Sequence, residues 1–575
     1  MRFNQLWLLV SLPLGFSASF RIGQGLTAAL DQQCSAQVER QPVYAAAPTS
    51  SGTIYQVLSD DPKFSRVVKA INFVEDVVSL LDDSSVELTF FAPPDQALHH
   101  PDHPHKLLPP IAGERPEQTI GSYSRLKASI RQDIKTTGNV DEFKYISEFK
   151  NLEDAIELLD QFEALSNDDD GDDKKCKEIL KFILRAVLHY HIIPESHDVH
   201  ELTRNTTYPT KLTIPGASDG QPLRLRVSQS VIPPFTAINF FVRVSHPNIK
   251  ANNGIIHVVN HPIIPPPSVF QELYLAPRHF STLTSALQRS ELTTDVDLRY
   301  VHGKGFAGAS LVTVFAPTNR AFKALPMKLQ LFLFSPIGER ILKKILQYHI
   351  VPDIVVHSNF VHHTKAHDLP DEAIAYFDAK PQIIGISDSN MLFDIEERKW
   401  PVFSWVMKLL HSGLTRRGER KPHVEPVFST NLTLDTLFVN HTLRTHISQH
   451  KINFPFPGPK RPSIIDTKVF VNHHPVVAAD VVSLNGVVHV IDRLLDPRKG
   501  KGHHGHHHHH EKSSRVRKYD DDCHDRSHDD RHHHKHHHKH HKHHKHEETD
   551  VYAAEYDDVW SDWESWLIKW ADEQD

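Results

Sequence analysis

The sequence predicts an α+β fold built twice in one chain, and three observations carry that prediction. The first is an internal repeat. Residues 88–98 read LTFFAPPDQAL and residues 312–322 read VTVFAPTNRAF; each is followed by a Tyr-His box, 188–194 (LHYHIIP) and 346–352 (LQYHIVP), and then by an Asn-Gly box, 253–265 (NGIIHVVNHPIIP) and 485–497 (NGVVHVIDRLLDP). Upstream, 61–71 (DPKFSRVVKAI) corresponds to 276–287 (APRHFSTLTSAL), so four boxes recur in one order and define two copies of one unit. The second observation is helical periodicity: Phe64, Val67, Val68 and Ile71 fall at i, i+3, i+4 and i+7, and Phe280, Leu283 and Leu287 repeat most of that apolar stripe. The third is the pair Asn253-Gly254 and Asn485-Gly486, each followed by a β-rich run (IIHVV, VVHVI), which predicts the second strand of a hairpin.

Phe315-Ala316-Pro317-Thr318-Asn319, after an apolar strand and before a helix, resembles the opening box of the fasciclin family. The first copy has Pro94 and Asp95 in place of Thr and Asn, a mild change, since Pro is tolerated in a first helical turn and Asp can cap it. The resemblance implies two fasciclin-like domains, each a β-sandwich or wedge with packed helices, over residues 50–267 and 268–497. It also implies a tandem fasciclin-like adhesion protein, with a fungal secretory-pathway member as the expected setting. The Tyr-His motif, Tyr190-His191 and Tyr348-His349, resembles a segment implicated in receptor adhesion in animal members. The residues themselves also fit buried, hydrogen-bonded positions between apolar neighbours, as do His257 and His489 among valines.

Unequal spacing locates two insertions. Pro93 to Tyr190 exceeds Pro317 to Tyr348 by about 66 residues, and Tyr348 to Asn485 exceeds Tyr190 to Asn253 by about 74. The first insertion, about 101–178, holds the acidic run 168–173, and the second, within about 358–470, holds the breaker-rich 454–462 (FPFPGPKRP). Both are expected as surface loops.

The 575 residues, 39% apolar with a formal charge of −7, suffice for two cores and tails and carry no overall charge suited to nucleic acid. Residues 1–19 have the order of a secretory signal peptide, with Arg2, an apolar stretch and a small-residue end. No later run is apolar enough to span a bilayer, so the expected location is secreted, extracellular or cell-surface, with a vacuolar lumen as the alternative. Asn205, Asn431 and Asn440 begin glycosylation triplets. Cys34, Cys176 and Cys523 allow one bridge at most, and Cys34 with Cys176 is left open.

Beyond residue 497 the chain changes character. Between 503 and 546, 20 of 44 residues are histidine, so 498–546 is expected to be a disordered tail. His506, His507, His508, His509, His510, His532, His533, His534, His536, His537 and His538 are candidate ligands for Zn, Cu or Ni, although no cofactor is required by the domains. Protonation would turn the tail toward an anionic membrane surface at acidic pH. Residues 547–575 are acidic and place Trp560, Trp563, Trp566 and Trp570 three to four apart, predicting a short amphipathic helix that docks either on this chain or on a protein partner.

Of catalytic patterns, only Gly216-Ala217-Ser218-Asp219-Gly220 fits G-x-S-x-G. It precedes Gln221-Pro222 and an alternating LRLRV run, so it reads as a hairpin turn rather than a strand-to-helix elbow. The functional expectation is a non-catalytic glycoprotein that binds a protein or cell-surface ligand. The alternative is a metal-binding, pH-responsive protein acting through its tail.

Overall fold

The computed structural model describes residues 52–98, 122–137, 152–166, 171–231, 234–301, 304–363, 423–453, 463–500 and 560–572. The leader-like residues 1–19, Cys34, Cys523, residues 454–462 and the candidate metal-binding histidines lie outside them.

In the first repeat the Phe-Ala-Pro box forms β1 (Leu88–Ala92), buried at every position. After β2 (Ile192–Ile193) come β3 (Thr207–Thr213), β4 (Pro222–Val231), β5 (Pro234–Ile238), β6 (Val242–Ala251) and β7 (Gly254–Val259). They make one sheet in the order β2-β1-β7-β6-β5-β4-β3, in which β1 and β7 run parallel. A run as apolar as LTFFA, whose single polar side chain, Thr89, donates to the Glu195 carbonyl, suits a parallel pair covered on both faces. The second repeat contains hairpin β8 (Leu298–Val301) and β9 (Gly305–Gly308), then β10 (Val312–Pro317), β11 (Ile350–Pro352), and hairpin β12 (Ile354–His357) and β13 (Phe360–His363). After these come β14 (His423–Asp435), β15 (Thr442–Asn453), β16 (Ser463–Val471), β17 (His474–Pro475), β18 (Ala478–Ser483) and β19 (Gly486–Ile491). Its sheets run β11-β10-β19-β18 and β14-β15-β16-β17, with β10 parallel to β19. Each Phe-Ala-Pro strand therefore pairs with the Asn-Gly strand of its own copy.

The Asn-Gly boxes work differently from a two-residue turn centred on glycine. The loops are Asn252-Asn253 and Leu484-Asn485, and the glycine opens the returning strand. Gly254 has φ 147°, and a Cβ there would lie 1.9 Å from the Leu88 carbonyl oxygen; at Gly486, φ 158°, it would lie 1.8 Å from that of Val312. The neighbouring parallel strand excludes any side chain. Asn253 and Asn485, both buried, bind the repeat together. The Oδ1 of Asn485 accepts from Val269 N at 2.9 Å, at the start of helix Val269–Leu275, and its Nδ2 donates to the Ala309 carbonyl at 2.9 Å. Asn253 does the same with Ile54 N at 2.8 Å and the Leu81 carbonyl at 2.9 Å.

The apolar stripes form helices Ser65–Phe73 and Pro277–Arg289, with Val67 and Ile71, and Leu283 and Leu287, in the two cores. Val68 is only half-buried. Asp95 does not cap the turn it begins. Its Oδ1 accepts from Arg66 N at 2.9 Å and its Oδ2 from Ser65 Oγ at 2.5 Å, so it caps the stripe helix, whereas Asn319 accepts from Thr282 N at 2.8 Å inside helix Pro277–Arg289.

Both insertions differ from the loops expected of them. The described part of the first is helical: Ser122–Thr137 and Leu152–Leu165 bury Leu126, Ile130, Ile156 and Leu159 against the long helix Gly171–Tyr190, which itself starts inside the acidic run. The described part of the second holds β13 and the long antiparallel strands β14, β15 and β16.

The repeats meet along a seam between the β3–β4 face of the first and β8–β9, β12–β13 and β18 of the second. Asn359 Nδ2 donates to the Thr207 carbonyl at 2.9 Å, and Thr207 Oγ1 donates to Asn359 Oδ1 at 2.6 Å. The G-x-S-x-G match lies in the β3–β4 turn, where Ser218 Oγ donates to the Leu484 carbonyl at 2.6 Å and so joins the domains.

Candidate functional site: the Tyr-His junctions and the C-terminal helix

Each Tyr-His pair sits where a long core helix of its repeat gives way to a strand: helix Gly171–Tyr190 into β2, and helix Glu339–Tyr348 into β11. His191 and His349 are buried and bonded through both ring nitrogens. His191 Nδ1 pairs with the Val187 carbonyl at 2.8 Å and its Nε2 accepts from Ile263 N at 2.9 Å. In His349 the partners are the Ile345 carbonyl at 2.7 Å and Leu495 N at 3.0 Å. This geometry requires a neutral ring protonated on Nδ1. Burial pushes both rings down to about 4.

The tyrosines are equally committed. Tyr190 Oη donates to the Arg224 carbonyl at 3.0 Å and accepts from Asn239 Nδ2 at 2.9 Å. Tyr348 Oη accepts from Asn472 Nδ2 at 2.8 Å and donates to the Thr442 carbonyl at 3.3 Å. Burial raises both phenol pKa values, Tyr348 to about 12. Asn239-Phe240 and Asn472-His473 have φ of 46° and 69°, and 47° and 68°, which is the backbone of a tight hairpin turn that favours Asn. Neither Asn239 nor Asn472 belongs to a repeated box; the signal each offers in the sequence is an Asn between two β-rich runs. All four Tyr-His side chains thus tie helix, strand and hairpin together within each core, with no polar atom left for an external ligand in this conformation.

The asparagines of the three Asn-x-Thr triplets face outward. Asn205, Asn431 and Asn440 are all exposed; Asn440 holds φ 62° in the β14–β15 turn, and Asn431 Oδ1 lies 2.8 Å from His446 Nδ1. Cys176 is buried within the first core. Among the described residues no group of three or more His, Cys, Asp or Glu could hold a metal.

The C-terminal helix, Trp563–Asp572, packs on the second repeat. Trp560, Trp563, Leu567, Trp570 and Ala571 are buried in the same core as Leu329, Ile341 and Ile345. Trp563 stacks on Phe332 with centroids 5.1 Å apart, and Trp570 lies 5.2 Å from Phe438. A basic rim faces the acidic helix: Arg340 pairs with Asp572 at 2.6 Å, Lys344 Nζ donates to the Ala571 carbonyl at 2.5 Å, and the Arg498 guanidinium lies 3.9 Å over the Trp566 ring. Lys344 thereby satisfies a carbonyl at the helix C-terminus, where a cation is favoured. Among the described residues the buried indole N–H groups of Trp566 and Trp570 meet no acceptor, and apolar contact supplies most of the adhesion of this helix. Changing Trp563 and Trp570 together to Ala is expected to cost about 5 kcal/mol or more of docking energy and release the helix. A red shift in the emission of the remaining tryptophans would report release; unchanged emission would contradict the docked geometry.

The family profile described as "Fasciclin domain" matches in three tandem segments, 162–265, 278–384 and 427–497. The chain is a tandem fasciclin-domain protein. The last two segments close on each other, because β10 from one pairs with β19 from the other, and β7 from the first pairs with β1 upstream of the match. "Stabilin-2" of Rattus norvegicus is 28% identical over 177 residues, covering 30% of this chain and 12% of that protein. "Fasciclin-like arabinogalactan protein" of Arthroderma benhamiae is 26% identical over 180 residues, 31% of this chain and 39% of the relative. "Transforming growth factor-beta-induced protein ig-h3" of Sus scrofa is 31% identical over 107 residues, 19% of this chain and 14% of the relative. The chain spans well under half the length of each of these relatives. A solved FAS1 domain pair from the insect cell adhesion molecule Fasciclin I aligns over 76% of this chain and 98% of its own at 14% identity, with a TM-score of 0.23.

Proposed function

We propose that the chain is a non-catalytic glycoprotein that works outside the cell or on its surface, binding a protein or cell-surface ligand through its paired fasciclin domains. The observation that carries this reading is the tandem domain itself, a scaffold whose repeated Tyr, His and Asn side chains are all spent on internal bonds. Recognition then falls to the outer surface, where the sugar-acceptor residues Asn205, Asn431 and Asn440 also lie.

Buried neutral histidines favour a neutral medium over an acidic vacuolar lumen, because each would oppose folding as protons become available. The fungal relative fits a fungal secretory-pathway member. The test is to follow the tagged chain in its cell. Surface exposure to added protease, with a glycosidase-sensitive mass, is the expected result; retention in an acidic lumen would overturn the surface assignment. The histidine tract supports a second reading, a metal-binding or pH-responsive role for the tail, on composition alone.

A further inference from the structure

The two repeats solve one local problem with different residues. In the first, β6 breaks register between His246 and Ile249, and Asn248 there takes φ 64°. Its Oδ1 accepts from Val199 N at 2.9 Å, its own N–H donates to His257 Nδ1 at 3.3 Å, and His257 Nε2 faces the His197 carbonyl at 3.0 Å. In the second, β18 breaks register between Ala478 and Val481, and Asp480 takes φ 60°. Its Oδ1 accepts from Ser358 N at 2.8 Å, its N–H donates to His489 Nδ1 at 3.4 Å, and His489 Nε2 faces the Val356 carbonyl at 2.8 Å. These three bonds match one for one, and Asp480 Oδ2 also accepts from the Ser358 hydroxyl, where the first repeat has Val199. Asn248 shows that a neutral amide suffices for the clamp, so the carboxylate at Asp480, 0% exposed, needs a separate reason. A buried charge is costly unless it is compensated.

Ser358 and His357 of its own domain compensate part of that charge, and two arginines approach from across the seam. Strand β4 turns Leu223, Leu225 and Val227 into the first domain's core and Arg224 and Arg226 to its other face. Arg226 lies 4.0 Å over the Phe240 ring and its Nε donates at 2.9 Å to the carbonyl of Ala479, the residue next to Asp480. Arg224 lies 4.3 Å over Phe360 of the second domain, with its Nε on Thr207 Oγ1 at 2.9 Å. Burial depresses both guanidinium groups, and the Asp480 charge acts against that depression. Burial also opposes the Asp480 charge, yet the His357 ring 3.7 Å away and the Ser358 hydroxyl hold it well below the usual carboxylate range.

The equivalent surfaces elsewhere lack this pairing. Tyr348 meets Thr442 where Tyr190 meets Arg224, and Asn472 accepts from Arg444 N where Asn239 accepts from Arg226 N. The second repeat thus carries Thr442 and an exposed Arg444 in place of the arginine pair, and the first carries Asn248 in place of the acid. The full complement of charges occurs once, on the two surfaces that face each other.

We infer that Asp480, set against Arg224 and Arg226, is the specificity determinant that locks the second domain onto the first in one order and one orientation, so that the pair offers a single rigid surface to its partner. Asp480→Asn keeps the backbone clamp, as Asn248 does, and removes the charge together with the acceptor of the Ser358 hydroxyl, so the arginine variants isolate the charge across the seam. The test places spin labels at the exposed Ser79 and Lys323 of the full chain by unnatural amino acids and measures their distance distribution. The unsubstituted chain should give one narrow peak, and Asp480→Asn should widen it at least twofold with near-ultraviolet circular dichroism unchanged. Arg224→Gln with Arg226→Gln should widen it to the same degree from the opposite side, and combining all three should add little. If Asp480→Asn disturbs folding, the arginine variant carries the test. A distribution that stays narrow in the arginine variant, or effects that simply add, would overturn the lock.

Discussion

Replacing Gly486 with valine is expected to unfold the second domain while leaving the first intact, with a loss of about 4 kcal/mol or more. Two causes act together. The residue holds φ 158°, at the edge of the region that side chains avoid, and its Cβ would sit 1.8 Å from the Val312 carbonyl oxygen. That oxygen belongs to a strand paired with β19 along six consecutive residues, from Val312 with Gly486 to Pro317 with Ile491. Making room therefore means parting the central parallel pair of the domain, which no side-chain rotation can avoid. The matching change Gly254→Val should act on the first domain, where the Leu88 oxygen stands 1.9 Å away. Chemical denaturation followed by circular dichroism would show one of two unfolding steps vanish in each variant; two intact steps would show that the strands can separate cheaply.

Acidification should produce the second large effect. His191, His257 and His349 are all pushed down to about 4 by burial, whereas the unfolded chain titrates near 6.5. Between those values the unfolded chain binds more protons than the folded one, so stability present above pH 6.5 is lost as the pH falls toward 4. For the first domain, with His191 and His257, the loss between pH 7 and 4.5 is on the order of 5 kcal/mol, because each buried ring forfeits about 1.4 kcal/mol for every pH unit below 6.5. In the second domain burial also lowers His357 and His489, which adds to the His349 effect. Urea midpoints at pH 7.5 and 4.5 would measure it, and equal midpoints would mean that these rings accept protons without leaving their bonds.

Much of this architecture is legible in the sequence because the repeat marks it. Boxes duplicated in order specify which strands pair, and the stripe through Val67 and Ile71 specifies a core helix. The described part of the first insertion is legible too: Leu152, Ala155, Ile156 and Leu159 stand at i, i+3, i+4 and i+7, a helical pattern obscured by the acidic run that follows it. In β14 the alternation of buried Leu432 and Leu434 with exposed Asn431 and Thr433 is likewise the pattern of a strand. What no local pattern can give is docking. The seat of Trp563 is assembled from Phe332, that of Trp570 from Phe438, and the counter-charges of Asp480 from Arg224 and Arg226, all distant in sequence. The Tyr-His pairs are visible as motifs, but only the positions of Asn239, Asn472, Ile263 and Leu495 show where their polar atoms go.

The central claim, that the paired domains rather than the tail bind a surface ligand, is tested most directly by titrating the fluorescently labelled chain, and a variant lacking residues 503–546, onto intact cells of the source at neutral pH. Saturable binding with the same midpoint for both is the predicted result. Binding that disappears with the histidine tract, or that needs added zinc, copper or nickel, would contradict it and assign the activity to the tail.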